Sequence, residues 1–340
     1  MPVPLSTQLI ESILARLPMC RIGLLGDLFL DRYFDIDATL NEPSVETGLT
    51  AYQVSGVRCY PGASGTVLNN LVALGVGQVV PISFVGDDGE GFSLRQLLGR
   101  MPSVDSTCLL TCPDRATPTY SKPMLQDAGT VQELHRLDIK NRTPTPEPVV
   151  QAILKHLEAR WASFDAVLVL DQVSENNCGV VTRAVREAVC GLAKSQPTFV
   201  LSDSRERIGL FRHVSVKPNE AEAMRAVGVA DGFALANQVQ GDVYLTRGAE
   251  GLELYEGINR TVVPAYPVAG PIDICGAGDS CSAGIACAMM AGCSPVEAAA
   301  FGNLIASITV QQIGVTGTAT PEQVRRRWAG CLLDLGRGPS

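Results

Sequence analysis

No apolar run in this sequence reaches the ~18 to 20 residues that cross a bilayer as a helix, and aromatic residues make up only 5% of it. A helical membrane span is therefore not expected. The opening MPVPLSTQLIESILARLPMC places Glu11 and Arg16 inside an amphipathic pattern and has no positively charged stretch ahead of an apolar block, so it reads as a helix and not as a signal peptide. Cytoplasmic residence is the expectation. Charged residues are also scarce, at 18%, and the formal net charge is −8. No basic stripe is available to release counterions, which argues against nucleic acid or an anionic membrane as partner.

Histidine is rarer still. His135, His156 and His213 are the whole complement, no GxSxG elbow accompanies them, and hydrolase chemistry has no visible nucleophile. There is no GxxxxGK[ST] loop, no protein-kinase set of glycine loop, HRD and DFG, and no strand followed by GxGxxG. Gly75-Val76-Gly77 is not such a fingerprint. Cysteine is plentiful, at 11, but the number is odd and no paired CxxC spacing occurs. Cys108 and Cys112 have neither a second pair nor a histidine nearby, so zinc is not expected, and apolar company around Cys190, Cys281, Cys287 and Cys293 suggests buried reduced thiols.

What is present is an alternation of strands and helices. Arg21 to Asp27 is a short apolar run ending in Gly-Asp, as a buried parallel strand meets its loop. Ligands of such sheets gather at strand carboxyl ends, which makes Asp27 a candidate, with Asp31 and Arg32 close behind. Residues 33–60 alternate weakly, without helical period, and read as strands outside the main sheet. Residues 119–138 form a second excursion, a hairpin turning at Asp127-Ala128-Gly129, that completes the lid. The remaining segments, 1–32, 61–118 and 139–340, are assigned to one α/β core in which strands such as Val79 to Val85, Ala166 to Leu170 and Val243 to Leu245 alternate with helices. Ser294-Pro295-Val296-Glu297 is a capping box with proline at the first helical position. A last helix covers Pro321 to Leu333, and the tail from Gly336 is expected to fray.

One stretch organises the rest. In Pro271 to Gly292 the glycines of Gly276-Ala277-Gly278-Asp279 free the backbone to present successive N–H groups at the start of a helix rich in small residues. Such a helix start suits an anion, and Asp279 beside it is poised to take a proton from a hydroxyl attacking a phosphoryl group. An N-cap aspartate after a tight turn would look the same.

With Asp273-Ile274-Cys275-Gly276-Ala277-Gly278-Asp279 matching D-x-x-G-A-G-D, the chain from about Arg21 to Pro321 resembles the ribokinase-like (PfkB) carbohydrate kinases. The resemblance implies a three-layer α/β sandwich with a central, mostly parallel sheet and a small β lid. It implies Asp279 as catalytic base, with Gly276, Ala277 and Gly278 amides as an anion hole. ATP and Mg²⁺ are the implied cofactors. Asn219 and Glu222, in Asn219-Glu220-Ala221-Glu222, resemble the N-x-x-E motif that places magnesium through water, although a helix cap has the same spacing. Lys217, Thr246, Gly248, Gly251 and Asn303 fall at nucleotide-binding positions. Asp273, Cys275, Gly314 and Thr318 fall on loops that hold a monovalent cation such as K⁺ in related kinases. For the acceptor, the resemblance points to Asp27, Asp31, Arg32, the Gly62-Ala63-Ser64-Gly65-Thr66 turn and Arg136. A homodimer through the lid is implied as well.

Gly26-Asp27-Leu28-Phe29-Leu30-Asp31-Arg32-Tyr33 and His135-Arg136-Leu137-Asp138 look most like the kinase domain of D-glycero-β-D-manno-heptose-7-phosphate kinases. Two departures leave the acceptor open. Thr66 stands where the family has a sugar-binding Asn, and a hydroxyl cannot make an amide's two-sided contact. Asp171-Gln172-Val173-Ser174 replaces a Tyr-Gly-Lys-Gly segment. A sugar or sugar phosphate is the expected partner, with ribose, fructose or a nucleoside, or a non-catalytic sugar- or nucleotide-binding role, as alternatives.

Overall fold

Apolar runs bounded by glycine, aspartate and proline become the strands of a central sheet. The computed structural model describes residues 5–127 and 129–336. Ala128 of the expected hairpin turn and residues 337–340 of the expected frayed tail lie outside the described residues. The chain runs α1 (Thr7–Arg16), β1 (Arg21–Gly26), β2 (Leu28–Asp37), β3 (Val54–Ala63), α2 (Ser64–Leu74), β4 (Gln78–Gly86), α3 (Gly89–Gly99) and β5 (Leu109–Cys112). It continues through β6 (Thr119–Asp127), β7 (Thr130–Glu133), β8 (Leu137–Ile139), α4 (Glu147–Arg160), β9 (Ala166–Asp171), α5 (Arg183–Ser195), β10 (Phe199–Ser204) and β11 (Ser215–Val216). Then come α6 (Glu220–Val227), α7 (Gly232–Val239), β12 (Val243–Thr246), β13 (Gly251–Glu256), β14 (Asn259–Pro264), α8 (Ala277–Met290), α9 (Pro295–Thr309) and α10 (Pro321–Gly336).

Nine strands form the main sheet in the order β14-β13-β12-β11-β10-β9-β1-β4-β5. From β12 to β5 every neighbouring pair is parallel, and β13 and β14 add an antiparallel edge. Every residue of β9 is buried, as a strand covered on both faces must be. One apolar cluster joins the sheet to α1, α2, α3, α8, α9 and α10, the other to α4, α5, α6 and α7. This is the three-layer sandwich expected. The sequence reading had not picked out β5, α4 or α7.

β1 lies between β9 and β4, so the chain leaves it in opposite directions and a crevice opens at the carboxyl ends. Asp27, Asp171 and Asp203 follow or close β1, β9 and β10 there, and Lys217 and Thr246 follow or close β11 and β12. The lid is a second sheet, β8-β6-β2-β3, with β7 on β6. It begins earlier than expected. β2 starts at Leu28, one residue after β1, and pairs with β3 from Leu28↔Ala63 onward. The boundary placed between residues 32 and 33 therefore falls inside a strand: hydrogen bonding to β3 and β6 carries β2 straight out of the core.

Candidate active site

Gly276 adopts φ +77° and serves as N-cap of α8. A Cβ there would lie 2.7 Å from Thr316 Cγ2, so both the backbone angle and the packing require glycine. Asp279 sits in the first helical turn and is part-buried. Burial pushes its pKa up to about 7, and the neighbouring Asp203 carboxylate adds to the rise, while Lys217 and Arg205 oppose it. A base that changes charge near neutrality is well matched to deprotonating an alcohol.

The structure corrects the expected set of amides. Ala277 N–H donates to the Ile274 carbonyl at 3.1 Å, closing the turn that leads into α8. The amides of Gly278 and Asp279, in the first turn, have no acceptor one turn back within the helix. With Gly276, they are the candidate anion-binding edge of this helix start. Gly278 leaves room for a cation: a Cβ on it would stand 3.5 Å from Lys217 Nζ.

Lys217 is almost fully buried and pairs with Asp203 at 2.9 Å. Burial alone would lower the lysine's pKa, but the Asp203 carboxylate overrides it and holds the group above its ordinary range. Asp203 also accepts from Ser282 of α8 at 3.4 Å. Asp203, Lys217, Arg205 and Asp279 thus share one electrostatic cluster. Sequence reasoning missed Asp203 and Arg205. The signal was there, since Leu201-Ser202-Asp203 is another apolar run ending in an acid at a strand's carboxyl end.

Asn219 and Glu222 close a full capping box on α6. Asn219 Oδ1 accepts from Glu222 N at 2.9 Å and Glu222 Oε2 accepts from Asn219 N at 2.8 Å. Burial and the Asp203 charge raise the Glu222 pKa, so this carboxyl faces the same cluster. Thr246 donates its hydroxyl to the Pro218 carbonyl at 3.2 Å, which fixes the Lys217-Pro218-Asn219 turn. Gly248 (φ +56°) and Gly251 (φ +102°) shape the turn between β12 and β13. Asn303 is a correction: its amide nitrogen donates to the Val263 and Pro264 carbonyls at 3.0 and 3.1 Å, so it clamps the end of β14 instead of offering those donors to a ligand.

The proposed cation loops are pinned by side chains. Asp273 accepts from Cys275 N at 2.9 Å and from Gly314 N at 3.1 Å. Gln312 both donates to the Thr318 carbonyl and accepts from its N–H. Both Asp273 oxygens are therefore engaged in holding 273–276 against 310–318.

On the acceptor side, strand alternation separates two neighbours that the sequence reading had put together. Asp31 lies over Gly62, where a Cβ would be 2.8 Å from its carboxyl carbon, and Lys122 Nζ stands 3.5 Å from it. The Asp31 charge is felt at Asp279. Arg32 points the other way, to Glu90 of α3 at 3.1 Å, because successive side chains of a strand face opposite sides. Lys122, missed in the sequence, also donates to Tyr33 Oη at 3.0 Å. Arg136 binds Asp138 through two nitrogens at 2.7 and 2.9 Å and stacks over Tyr120, 4.2 Å from its centroid.

In the Gly62 to Thr66 turn, Ala63 takes φ +52°. Thr66 reaches toward Gly276, its methyl 3.3 Å from where a Cβ there would stand. Ser64 is a second correction, since its hydroxyl is buried and donates to the Asp27 carbonyl at 2.8 Å. Asp27 is a third. It is 4% exposed and accepts from Val180 N at 2.6 Å, so its carboxyl is turned to the loop 172–180.

Residues 31–323 match the model of the pfkB family carbohydrate kinases. The chain belongs to the pfkB family. Its members are carbohydrate kinases, phosphotransferases that act on a sugar hydroxyl. Among curated relatives, the Bifunctional protein HldE of Trichlorobacter lovleyi is 30% identical over 329 residues, covering 93% of this chain and 64% of the relative. That of Gluconobacter oxydans is 27% identical over 317 residues, covering 90% and 64%. This pfkB chain thus spans just under two thirds of the length of these relatives. Solved structures with the same fold include Arabidopsis thaliana ribokinase complexed with ribose and ATP, with TM-score 0.64 and 17% identity over 91% of this chain and 98% of that one. Phosphofructokinase-2 from Escherichia coli superposes with TM-score 0.68 at 15% identity over 92% and 99%.

Proposed function

We propose that this pfkB kinase transfers the γ-phosphoryl group of ATP to a hydroxyl of a sugar or sugar phosphate. The carrying observation is the position of Asp279: a carboxyl whose pKa is pushed up to about 7, in the first turn of a helix whose free amides and the neighbouring Lys217 suit an anion. Asp279 takes the hydroxyl proton as the oxygen–phosphorus bond forms and the bond to the departing ADP oxygen breaks. The Gly276, Gly278 and Asp279 amides, with Lys217, stabilise the charge that develops on the moving group. Asp31, held by Lys122, and the Gly62 to Thr66 turn orient the acceptor.

The residues present fit ATP with Mg²⁺. Gly278 leaves a cradle beside Lys217, and the carboxyls of half-buried Glu222 and buried Asp203 suit a hydrated cation that keeps much of its water shell. Asn219 and Glu222 would hold it through water, and when bound it supplies neutralisation of phosphate charge. The chain functions in the cytoplasm in this reading, and among the described residues no helix is long and apolar enough to cross a membrane. A dimer through the lid is supported by exposed apolar side chains on it, including Val54, Val57 and Leu137.

The test is ADP release from ATP and Mg²⁺ with a panel containing D-glycero-β-D-manno-heptose 7-phosphate, fructose 6-phosphate, ribose and fructose. Turnover with one of them and its loss in Asp279→Asn are expected. ATP and sugar both raising the melting temperature without any ADP would make the protein a sensor and overturn the reading.

A further inference from the structure

One buried acid has no part in the transfer just described. Asp27 occupies the single position between β1 and β2. Its Oδ1 accepts from Val180 N at 2.6 Å, while Oδ2 is buried without a hydrogen-bond partner. Gly179 lies against both oxygens, so close that a Cβ there would be 2.6 Å from Oδ1.

The segment these atoms touch, 172–180, is held from outside by other side chains. Arg115 donates to the Cys178 carbonyl at 2.7 Å, Thr145 Oγ1 to the Gly179 carbonyl at 2.7 Å, and Arg207 to the Ser174 carbonyl at 3.0 Å and to that of Val173. The segment is one wall of a pocket under the lid, whose other walls include Asp27 itself, Phe29, Tyr120, Lys140 and Arg205. Arg205 is also felt at Asp279, which joins the pocket to the reacting centre.

We propose that Asp27 is a positioning residue of the acceptor site, acting through the segment 172–180, and that it holds this wall in place only as the neutral acid. The inference rests on the kinase reading above. An ionised carboxylate with one unsatisfied oxygen is expensive to bury, and three charged groups face this one. Asp171 repels it. Arg207 attracts it, but is already bound to Asp171 through two nitrogens at 2.8 and 3.0 Å. Arg115 is held by the Thr143 and Cys178 carbonyls, with its Nε buried and unpartnered. Neither arginine hydrogen-bonds to Asp27, and burial pushes its pKa up to about 7, with Asp171 adding to the rise while the Val180 and Gln172 amides and Arg207 oppose it. Above that pH the bare oxygen must be hydrated. Asp27 itself borders the pocket beside this segment, and a Cβ on Gly179 would already lie 2.9 Å from Oδ2, so water drawn to that oxygen displaces the Gly179-Val180 backbone and the pocket wall with it.

The experiment compares acceptor KM and kcat against pH for wild type, Asp27→Asn and Gly179→Ala, with D-glycero-β-D-manno-heptose 7-phosphate as probe. Asparagine reproduces the shape and donor of the neutral acid but does not titrate. Limbs belonging to Asp279 or to the probe are common to both enzymes and cancel in a ratio. The ratio of KM, wild type over Asp27→Asn, is expected to rise about tenfold between pH 6 and pH 8, with little change in the kcat ratio. Gly179→Ala, which displaces the same wall sterically, should raise KM at all pH values. A flat ratio overturns the proposal. If the probe is not turned over at any pH, the acceptor assignment fails, and the proposal is then decided in the free protein. With [γ-¹³C]aspartate labelling, the resonance missing from Asp27→Asn should titrate with a midpoint near 7. A midpoint below about 5 overturns the positioning role whatever the acceptor.

Discussion

Replacing Lys217 by methionine separates two jobs of one side chain. The side chain is 5% exposed and its ammonium sits 2.9 Å from Asp203, so its removal leaves a carboxylate buried without its partner. Breaking a buried pair from one side costs roughly 3–5 kcal/mol. With an unfolding entropy of about 2.1 cal/mol/K per residue over 340 residues, Lys217→Met should melt about 4–7 °C below wild type. The double variant Lys217→Met/Asp203→Asn removes the stranded charge and should recover most of that loss. Turnover should recover in neither, because the cation beside Gly278 is gone from both, and a deficit of about a hundredfold or more is expected for a lost stabiliser of developing charge. Melting curves and ADP release on the three proteins read both effects. The reasoning is refuted if the single variant melts within about 1 °C of wild type, or if the double variant melts no higher than the single.

Asp279→Asn should lower kcat about 10²- to 10⁴-fold. In the wild type, kcat/KM for the acceptor should fall about tenfold per pH unit below 7, read from initial rates. Because the folded Asp279 pKa is raised above its unfolded value, the native state binds the extra proton between about pH 4 and 7, and stability is lost as pH rises through that window. Asp279→Asn should therefore melt above wild type at pH 8, by a margin that narrows toward pH 4. Gly276→Ala forces a Cβ into a φ of +77° and against Thr316. A stability loss of about 1–2 kcal/mol in urea titrations is expected, together with a raised KM for ATP. Sedimentation at micromolar concentration should show a dimer, converted to monomer by Val57→Glu on the lid, and a monomeric wild type would refute the lid contact.

The sandwich was legible because β1, β4 and β9 are buried on both faces and written as mostly apolar runs, and because α8 and α9 carry explicit start signals. The place of Asp279 in the first turn of α8 was legible because backbone freedom and a helix start are local properties. The Asp203–Lys217 pair was not, since it depends on β10 lying beside β11 and on burial of both ends. Nor was Lys122 beside Asp31, which requires the parallel register of β2 with β6. Asp31 and Arg32 were read as one cluster although adjacent strand residues cannot share a face. Asp27 obeyed the strand-end rule for its position, but packing of 172–180 across it decided where its carboxyl turned. Ser64 and Asn303 carry side chains able to bind a ligand, and only the tertiary contacts show that backbone carbonyls take their donors first.

The small residues of α8 have a reach beyond the turn where Asp279 sits. Gly284 and Gly302 bring α8 and α9 together so closely that a methyl group on Gly284 would stand 2.9 Å from the Gly302 Cα. Gly284 is five residues along the helix from Asp279, about 7.5 Å of axial rise. A single added methyl there must wedge the two rods apart and tip the near end of one of them, shifting the Asp279 carboxyl relative to the crevice without touching it. Rate losses from such a change would look catalytic in an assay and mechanical in the structure.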